Sequence, residues 1–224
     1  MRRLLAWLFG VVLALVLAAV CGLELWYWSL LPSELPSVST SSYPPLIRNT
    51  IWLYQCSGKG EPRLRPIFPF LVGFLLHEPS PETRLSGSVA RHLVKFGAGE
   101  RQFKRVLREI ALATWISRHW TVDHALDTYA SEAWTGDHRR GIREAASALY
   151  DKEVGSLSVD EVALLVAMTR APSRLSPLCH PDRARQARDE LLGRMKEAGL
   201  LDAQELSRAT SADLGVRGTC QSPR

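Results

Sequence analysis

The strongest hydropathy pattern lies near the N-terminus, where Leu4 to Leu23 contains no charged residue. A helix of this length matches the roughly 30 Å hydrocarbon core of a bilayer. Arg2 and Arg3 precede it and aromatic residues 26–28 follow it. This arrangement favours a cytoplasmic N-terminus and an interfacial aromatic belt on the opposite side. The pattern therefore predicts a single-pass anchor, with the rest of the chain outside the cytoplasm.

Two alternatives to the uncleaved anchor are open. Small residues near Cys21 would suit a cleaved signal peptide, but the apolar run is long for a signal core and the aromatic belt would be unexplained. A lipid on Cys21 is disfavoured because Val20 is bulky for the position before a lipidated cysteine.

The pattern after the anchor changes abruptly. Residues 30–46 are rich in Pro and Ser and show no sustained apolar period, which predicts a spacer. We expect a cytoplasmic tip and anchor over residues 1–31, a spacer over 32–46, a folded domain over 47–212 and a tail over 213–224.

Beyond the spacer the apolar spacing is helical and strand signals are nearly absent. One stripe at positions i, i+3, i+4 and i+7 is predicted to face a core: Phe103, Val106, Leu107 and Ile110. The pattern predicts an all-α domain, built as a compact, irregular bundle of helices.

Capping residues mark several of the helix starts. Thr121 is predicted to cap one helix. Two capping boxes are predicted further on, Ser158 with Glu161 and Asp202 with Glu205.

Composition narrows the class of protein. The chain has 224 residues, of which 46% are hydrophobic and 23% charged, so it can bury one domain and is not disordered. Its net charge is +5 and its pI about 9.2. The arginines are scattered through helical segments instead of forming one basic run, so no nucleic-acid partner is predicted.

The cysteine spacing and the absence of a serine motif bear on zinc binding and on acyl transfer. Cys56, Cys179 and Cys220 lie far apart outside the anchor, in what would be an oxidising compartment. One disulfide can form, its pairing is open, and no spacing resembles a zinc site. The chain contains no S-x-x-K serine motif, so neither acyl transfer nor a transpeptidase domain is expected.

Four segments follow one another in the C-terminal half: GIREAASALYDK, LSVDEVALLVA, APSRLSP and RDELLGRMKEAG. Their order resembles the peptidoglycan glycosyltransferase domain, glycosyltransferase family 51. That family runs G-[VI]-x-x-A-A-x-x-Y-F-G-K, L-[ST]-x-x-E-[AV]-A-L-L-A, A-P-S-x-[YL]-[NS]-P and R-x-x-x-V-L-x-x-M-x-x-x-G. The resemblance implies a lysozyme-like helical glycosyltransferase domain; these segments are mostly scaffold and argue for fold more than for catalysis.

The resemblance continues upstream in residues 105–131. RVLREIALATWISRHWTVDHALDTYAS is similar to the family's R-K-x-x-E helix and the following S-K-[DE]-E-I-L-E-x-Y-L-N. Arg105 and Glu109 keep the family's spacing, which places them on one helix face. Without the family context, such a pair is ordinarily a solvated helix pair.

A partial match precedes that helix. SGSVARHLVKF resembles G-G-S-T-[IL]-x-Q-Q-L-x-K-N, with Ser88 on the Thr and Lys95 on the Lys. Arg91 and His92 replace the two glutamines, and Phe96 replaces the Asn.

The catalytic carboxylate of the family belongs to its motif E-D-x-x-F-x-x-H. FLVGFLLHEP is similar to the apolar helix before that motif, with Glu78 on the Glu and Pro79 on the Asp. Nothing after Glu78 matches the Phe or the His, and the interval to Ser88 is shorter than in the family. Glu78 could equally be a plain loop carboxylate.

The resemblance implies a role for each of these residues. Joining two lipid-linked disaccharides needs a base for the acceptor hydroxyl and cations for the departing lipid diphosphate. Glu78 would be the base, and Glu109 would position the cations or the leaving phosphate. Lys95 and Arg105, with Ser88, would bind substrate. No cofactor is certain; a divalent metal ion is a candidate, and no metal ligand is assigned.

Two functions are therefore open. The first is a membrane-anchored, monofunctional peptidoglycan glycosyltransferase at the outer face of a bacterial inner membrane, with lipid-linked precursor and growing glycan strand as partners. The second is an inactive relative that binds precursor, glycan or cell-wall synthesis proteins. Lys95, Arg105 and Glu109 favour the enzyme, while the shortened first motif and the lost glutamines favour the binding protein.

Overall fold

The computed structural model describes residues 2–37, 40–58, 60–70, 80–94, 101–137 and 139–220. Within these residues, helices dominate and the predicted all-α class is confirmed. The helices are α1 (Arg2–Leu30), α2 (Pro45–Cys56), α3 (Pro81–Leu93), α4 (Gln102–His119), α5 (Val122–Glu132), α6 (Gly141–Tyr150), α7 (Val159–Met168), α8 (Pro181–Glu197) and α9 (Ala203–Ser211), with a 3₁₀ turn at Val154–Ser156.

Helix α1 extends beyond the predicted apolar run at both ends. Its segment Ala6–Leu30 is long and apolar enough to cross a membrane, judged by length and composition, and an apolar stretch of 18 residues within it is not buried inside the protein. The segment includes Glu24, a charged residue whose contacts are described below.

The predicted helix caps are present. The Thr121 side chain accepts a hydrogen bond from the backbone N–H of His124 at the start of α5. Both capping boxes form, Ser158 with Glu161 at α7 and Asp202 with Glu205 at α9. These local hydrogen bonds satisfy backbone donors that a helix start otherwise leaves unpaired.

Helices α2 and α7 form the centre of the domain. Helix α2 packs against α3, α5, α7 and α8. Every residue of α7 from Glu161 to Met168 is buried, which explains why this segment is apolar on all sides. The Glu161 carboxylate accepts hydrogen bonds from the Lys152 ammonium at 2.7 and 3.0 Å, which compensates its burial.

The packed unit reaches beyond residues 47–212 on both sides. Tyr43 precedes α2 and Leu214 follows α9, yet both are buried in the main core. The segment after α9 is also held by a disulfide between Cys179 and Cys220, whose Cα atoms are 4.8 Å apart.

A small hairpin interrupts the helices. Strand β1 (Trp134–Gly136) pairs antiparallel with β2 (Arg139–Arg140). Gly141 follows with φ +81°, and a Cβ at this position would lie 2.5 Å from the carbonyl oxygen of Ser131. Only glycine fits there without moving backbone, so Gly141 allows the turn into α6.

The predicted apolar stripe on α4 is wrong at its N-terminal end. Phe103 is 73% exposed and Val106 is 42% exposed, whereas Leu107 is buried. Burial of α4 begins at Leu107 and continues through its later turns, and α4 packs against α3 and α1. The first turns of α4 therefore carry apolar and basic side chains on the surface.

Candidate functional site

Helix α4 places Arg105 and Glu109 one turn apart, as their spacing predicted. The Nε of Arg105 donates to Oε1 of Glu109 at 3.3 Å. The Glu109 side chain is 19% exposed and that of Arg105 is 48% exposed. A solvated i, i+4 pair stabilises a helix by only a few tenths of a kcal/mol, about 0.3–0.5. The Arg105–Glu109 pair alone therefore adds little to the stability of α4.

A second guanidinium reaches the same carboxylate from α3. The Nε of Arg91 lies 3.9 Å from Oε2 of Glu109, and α3 and α4 pack against each other. In the resemblance to the family, Arg91 stands in place of a glutamine. Its proximity to Glu109 depends on how two helices pack, so no spacing along the chain indicates it. We call Arg91, Arg105 and Glu109 the Arg–Glu–Arg cluster.

This cluster has the chemistry of an anion site. It combines two guanidinium groups with one carboxylate, and each guanidinium presents N–H donors in a planar fork that matches phosphate oxygens. The Glu109 carboxylate keeps the guanidinium groups of Arg91 and Arg105 close to each other. The Arg91 side chain is 72% exposed, so it can turn toward a ligand at little cost.

Three of the predicted site residues lie in the described part of the chain: Ser88, Arg105 and Glu109. Ser88 is half-buried on α3, three residues before Arg91 and thus on a neighbouring part of the same helix surface. Glu78 and Lys95, with His77, lie outside the described residues.

The residue next to Arg91 faces the interior instead. His92 is half-buried, and its ring packs edge-on against Tyr129 of α5, with centroids 5.3 Å apart. Burial lowers the pKa of His92 below its ordinary value, and the charges of Arg91 and Arg140 lower it further. The imidazole therefore favours its neutral form and contributes no permanent charge to the cluster.

Tyr129 connects this region to the central helices. Its hydroxyl lies 3.1 Å from Oγ1 of Thr169, which also accepts a hydrogen bond from Gln55 at 2.7 Å. Burial raises the pKa of Tyr129, so the phenol is protonated at neutral pH. The contact holds α5, which packs against α3, in a fixed position behind the cluster.

A partly buried ion pair joins α5 to α2. Arg48 donates to both carboxylate oxygens of Asp127, from Nε at 2.7 Å and from Nη2 at 2.6 Å. The backbone N–H of Tyr43 also donates to Asp127. The carboxylate raises the pKa of Arg48 through these hydrogen bonds. Asp127 therefore ties the end of the predicted spacer to the domain.

Within residues 2–37, 40–58, 60–70, 80–94, 101–137 and 139–220, no three or more His, Cys, Asp or Glu side chains are grouped to hold a metal ion.

The protein is a helical domain that follows an apolar N-terminal helix. Its candidate site contains two neighbouring guanidinium groups. Residues 86–196 match the transglycosylase family model, a range that contains the whole cluster. The chain therefore carries a domain of the transglycosylase family, and the resemblance to peptidoglycan glycosyltransferases is confirmed.

Relatives agree with this assignment. Penicillin-binding protein 1A of Pseudomonas aeruginosa is 34% identical over 128 residues, covering 57% of this chain and 16% of that protein. Penicillin-binding protein 1F of Bacillus subtilis is 33% identical over 137 residues, covering 60% of this chain and 19% of that protein. This chain thus spans less than a fifth of either relative.

A solved structure is also similar. The crystal structure of penicillin-binding protein 1A from Haemophilus influenzae aligns with a TM-score of 0.39 and 18% sequence identity. The alignment covers 74% of this chain and 21% of that chain.

Proposed function

We propose that this protein is a membrane-anchored, monofunctional peptidoglycan glycosyltransferase. It polymerises glycan strands from a lipid-linked disaccharide at the outer face of a bacterial inner membrane. The observation that carries the proposal is the Arg–Glu–Arg cluster, which lies inside the family-matched segment and presents two guanidinium groups beside one carboxylate.

The chemistry assigns the cluster to the leaving group. In glycan transfer, the acceptor hydroxyl oxygen forms a bond to the donor's anomeric carbon while the bond from that carbon to the lipid diphosphate breaks. The diphosphate leaves with the electron pair. Arg105 and Arg91 stabilise that developing charge through charge-assisted hydrogen bonds. Glu109 keeps the two guanidinium groups positioned for it.

The proton of the acceptor hydroxyl needs a base. Glu78 carries this role by resemblance, and Lys95 by the same resemblance adds a cation for the diphosphate. Ser88 contributes a hydroxyl near Arg91 that can hydrogen-bond a sugar or phosphate oxygen. Membrane location is supported by the apolar segment Ala6–Leu30.

Polymerisation of labelled lipid-linked precursor by purified full-length protein tests the proposal. Wild type should form polymer. A general base contributes about 10² to 10⁴ in rate, so Glu78→Gln should lower turnover by that order with precursor affinity nearly unchanged. Glu197→Gln, an exposed glutamate at the end of α8, is the matched control and should match wild type.

The outcomes separate the candidate functions. If wild type binds precursor but makes no polymer, with or without divalent metal, the protein is an inactive, precursor-binding relative. If Glu78→Gln polymerises like wild type, the enzyme assignment stands and Glu78 is not its base.

A further inference from the structure

A single acidic residue lies within the apolar helix that would span the membrane. Glu24 is part of the segment Ala6–Leu30, directly after the uncharged run. An ionised side chain in such a helix is costly unless it has a partner, and intramembrane or interfacial charges generally mark function. The side chain that pairs with Glu24 therefore indicates what this residue does.

Glu24 is bound by the folded domain. Arg118 of α4 donates to both carboxylate oxygens, from Nη1 at 2.8 Å and from Nη2 at 3.0 Å. The backbone N–H of Phe70 donates to Oε1 at 2.9 Å. Arg118 also donates from Nε to the carbonyl of Ile67 at 2.9 Å. The two side chains are only 18% and 20% exposed. This bidentate geometry fixes direction as well as distance.

Apolar packing surrounds this ion pair. Tyr27, one turn beyond Glu24, is fully buried and packs with Phe70 and Ala111 in a small core of its own. The guanidinium of Arg118 lies over the Tyr27 ring, 5.0 Å from its centroid. The end of α1 is therefore integrated into the domain and does not act as a free tether.

An aromatic side chain of the domain remains exposed beside this contact. Phe68 is 62% exposed, and Arg118 lies 5.3 Å from its ring centroid. Trp26 and Trp28 of α1 are also exposed, at 40% and 57%. Exposed aromatic side chains at the end of a membrane span are typical of the bilayer interface. We call Glu24, Trp26, Trp28, Phe68 and Arg118 the anchor junction.

We infer that the anchor junction seats the domain on the bilayer in one fixed orientation, with Phe68 inserted in the lipid interface beside Trp26 and Trp28. The inference rests on the proposed membrane location of α1. Glu24 and Arg118 are positioning residues: Arg118 lies on the same rigid helix as Arg105, so fixing one end of α4 fixes the cluster relative to the membrane. A lipid-linked substrate presents its diphosphate at a set height, so orientation controls access.

A depth measurement tests the seating without any catalysis. Full-length protein with Cys21→Ala and Phe68→Cys is labelled with an environment-sensitive fluorophore and reconstituted in phosphatidylcholine–phosphatidylglycerol vesicles. The label should be quenched by nitroxide lipids. The same label at Gln204→Cys, exposed on α9, is the control and should be quenched much less. A Phe68 label that behaves like the control overturns the inference and leaves a protein partner as the occupant of this surface.

Variants of the ion pair test the positioning role. Glu24→Gln, or Arg118→Lys, should reduce quenching at position 68 and lower polymerisation in vesicles by roughly ten- to a hundredfold, because a misplacement of about 1 Å can cost about a hundredfold in rate. Polymerisation in detergent should fall much less, since no bilayer surface sets the substrate height. Glu153→Gln, which removes the exposed pair with Arg143, is the matched control.

The result also separates this inference from the proposed function. If the label at position 68 is quenched but wild type makes no polymer, the result supports the seating of the domain on the bilayer and contradicts the proposed enzyme activity. If the Glu24 and Arg118 variants lose polymerisation equally in vesicles and in detergent, and quenching at position 68 is unchanged, these two residues do not position the domain on the membrane.

Discussion

The Nε of Arg105 lies 3.3 Å from Oε1 of Glu109, one helical turn further along α4. Both residues belong to the segment that matches the transglycosylase family. The pair is solvated enough to contribute little to folding but lies where a second cation, Arg91, can join it. Binding and stability should therefore respond differently when this pair is changed.

Arg105→Ala should weaken binding of lipid-linked precursor by roughly ten- to a hundredfold, since a hydrogen bond to a charged group contributes about 1.5–3 kcal/mol. The free energy of unfolding should change by less than about 0.5 kcal/mol. A fluorescence titration and urea denaturation measure the two quantities. Arg185→Ala, an exposed arginine of α8, should leave both unchanged. Equal weakening by Arg185→Ala would mean that general basicity, and not this site, binds the precursor.

Arg91→Gln restores the residue type that the resembled family has at this position. The variant should weaken precursor binding by a smaller factor than Arg105→Ala, about two- to fivefold, because Arg91 is highly exposed and 3.9 Å from Glu109. The salt dependence of binding should become shallower, since one cation is lost. Affinity and salt dependence equal to those of wild type would remove Arg91 from the anion site.

His92→Gln should reduce the loss of stability at acidic pH. The folded protein lowers the pKa of His92 below its ordinary value of 6.5, so the unfolded chain binds the proton more readily. The stability that the folded protein gains from keeping His92 neutral is fully present above about pH 6.5. It is lost as the pH falls through the lowered pKa of His92. Urea denaturation at several pH values between 5 and 8 tests this, and identical pH dependence in wild type and variant would contradict it.

Arg188→Met should destabilise the domain because Arg188 is a buried residue of α8. Its side chain is 1% exposed and donates to Asp189 and to the backbone carbonyls of Ala212 and Thr210. Removing a buried partner leaves those carbonyls unpaired, which costs about 2–4 kcal/mol. The matched control is Arg183→Met on an exposed position, expected within about 0.5 kcal/mol of wild type in the same denaturation experiment.

Replacing Cys179 and Cys220 together with Ala should lower the free energy of unfolding by up to about 4 kcal/mol, the chain-entropy value for their sequence separation of 41. A reducing agent should have the same effect on wild type. The Cys56 thiol is buried, and burial raises its pKa to about 12, so it should resist alkylation in the folded protein. If the double variant is as stable as wild type in denaturation, the disulfide does not hold the C-terminal segment.

The sequence by itself determined the features that depend on neighbours a few residues away. The apolar run predicted α1, and Thr121 and the two capping boxes predicted helix starts, because a side chain caps the backbone of its own first turn. The spacing of Arg105 and Glu109 predicted their shared face for the same reason. Family resemblance added the order of the segments and the candidate base, Glu78.

Only the tertiary structure decided the contacts between distant segments. Arg91 meets Glu109 because α3 and α4 pack together, and Arg118 binds Glu24 across 94 positions of sequence. Packing also left Phe103 on the surface although its spacing predicted burial. Helical periodicity defines a face of a helix, but which part of that face is covered depends on where the neighbouring helices begin and end.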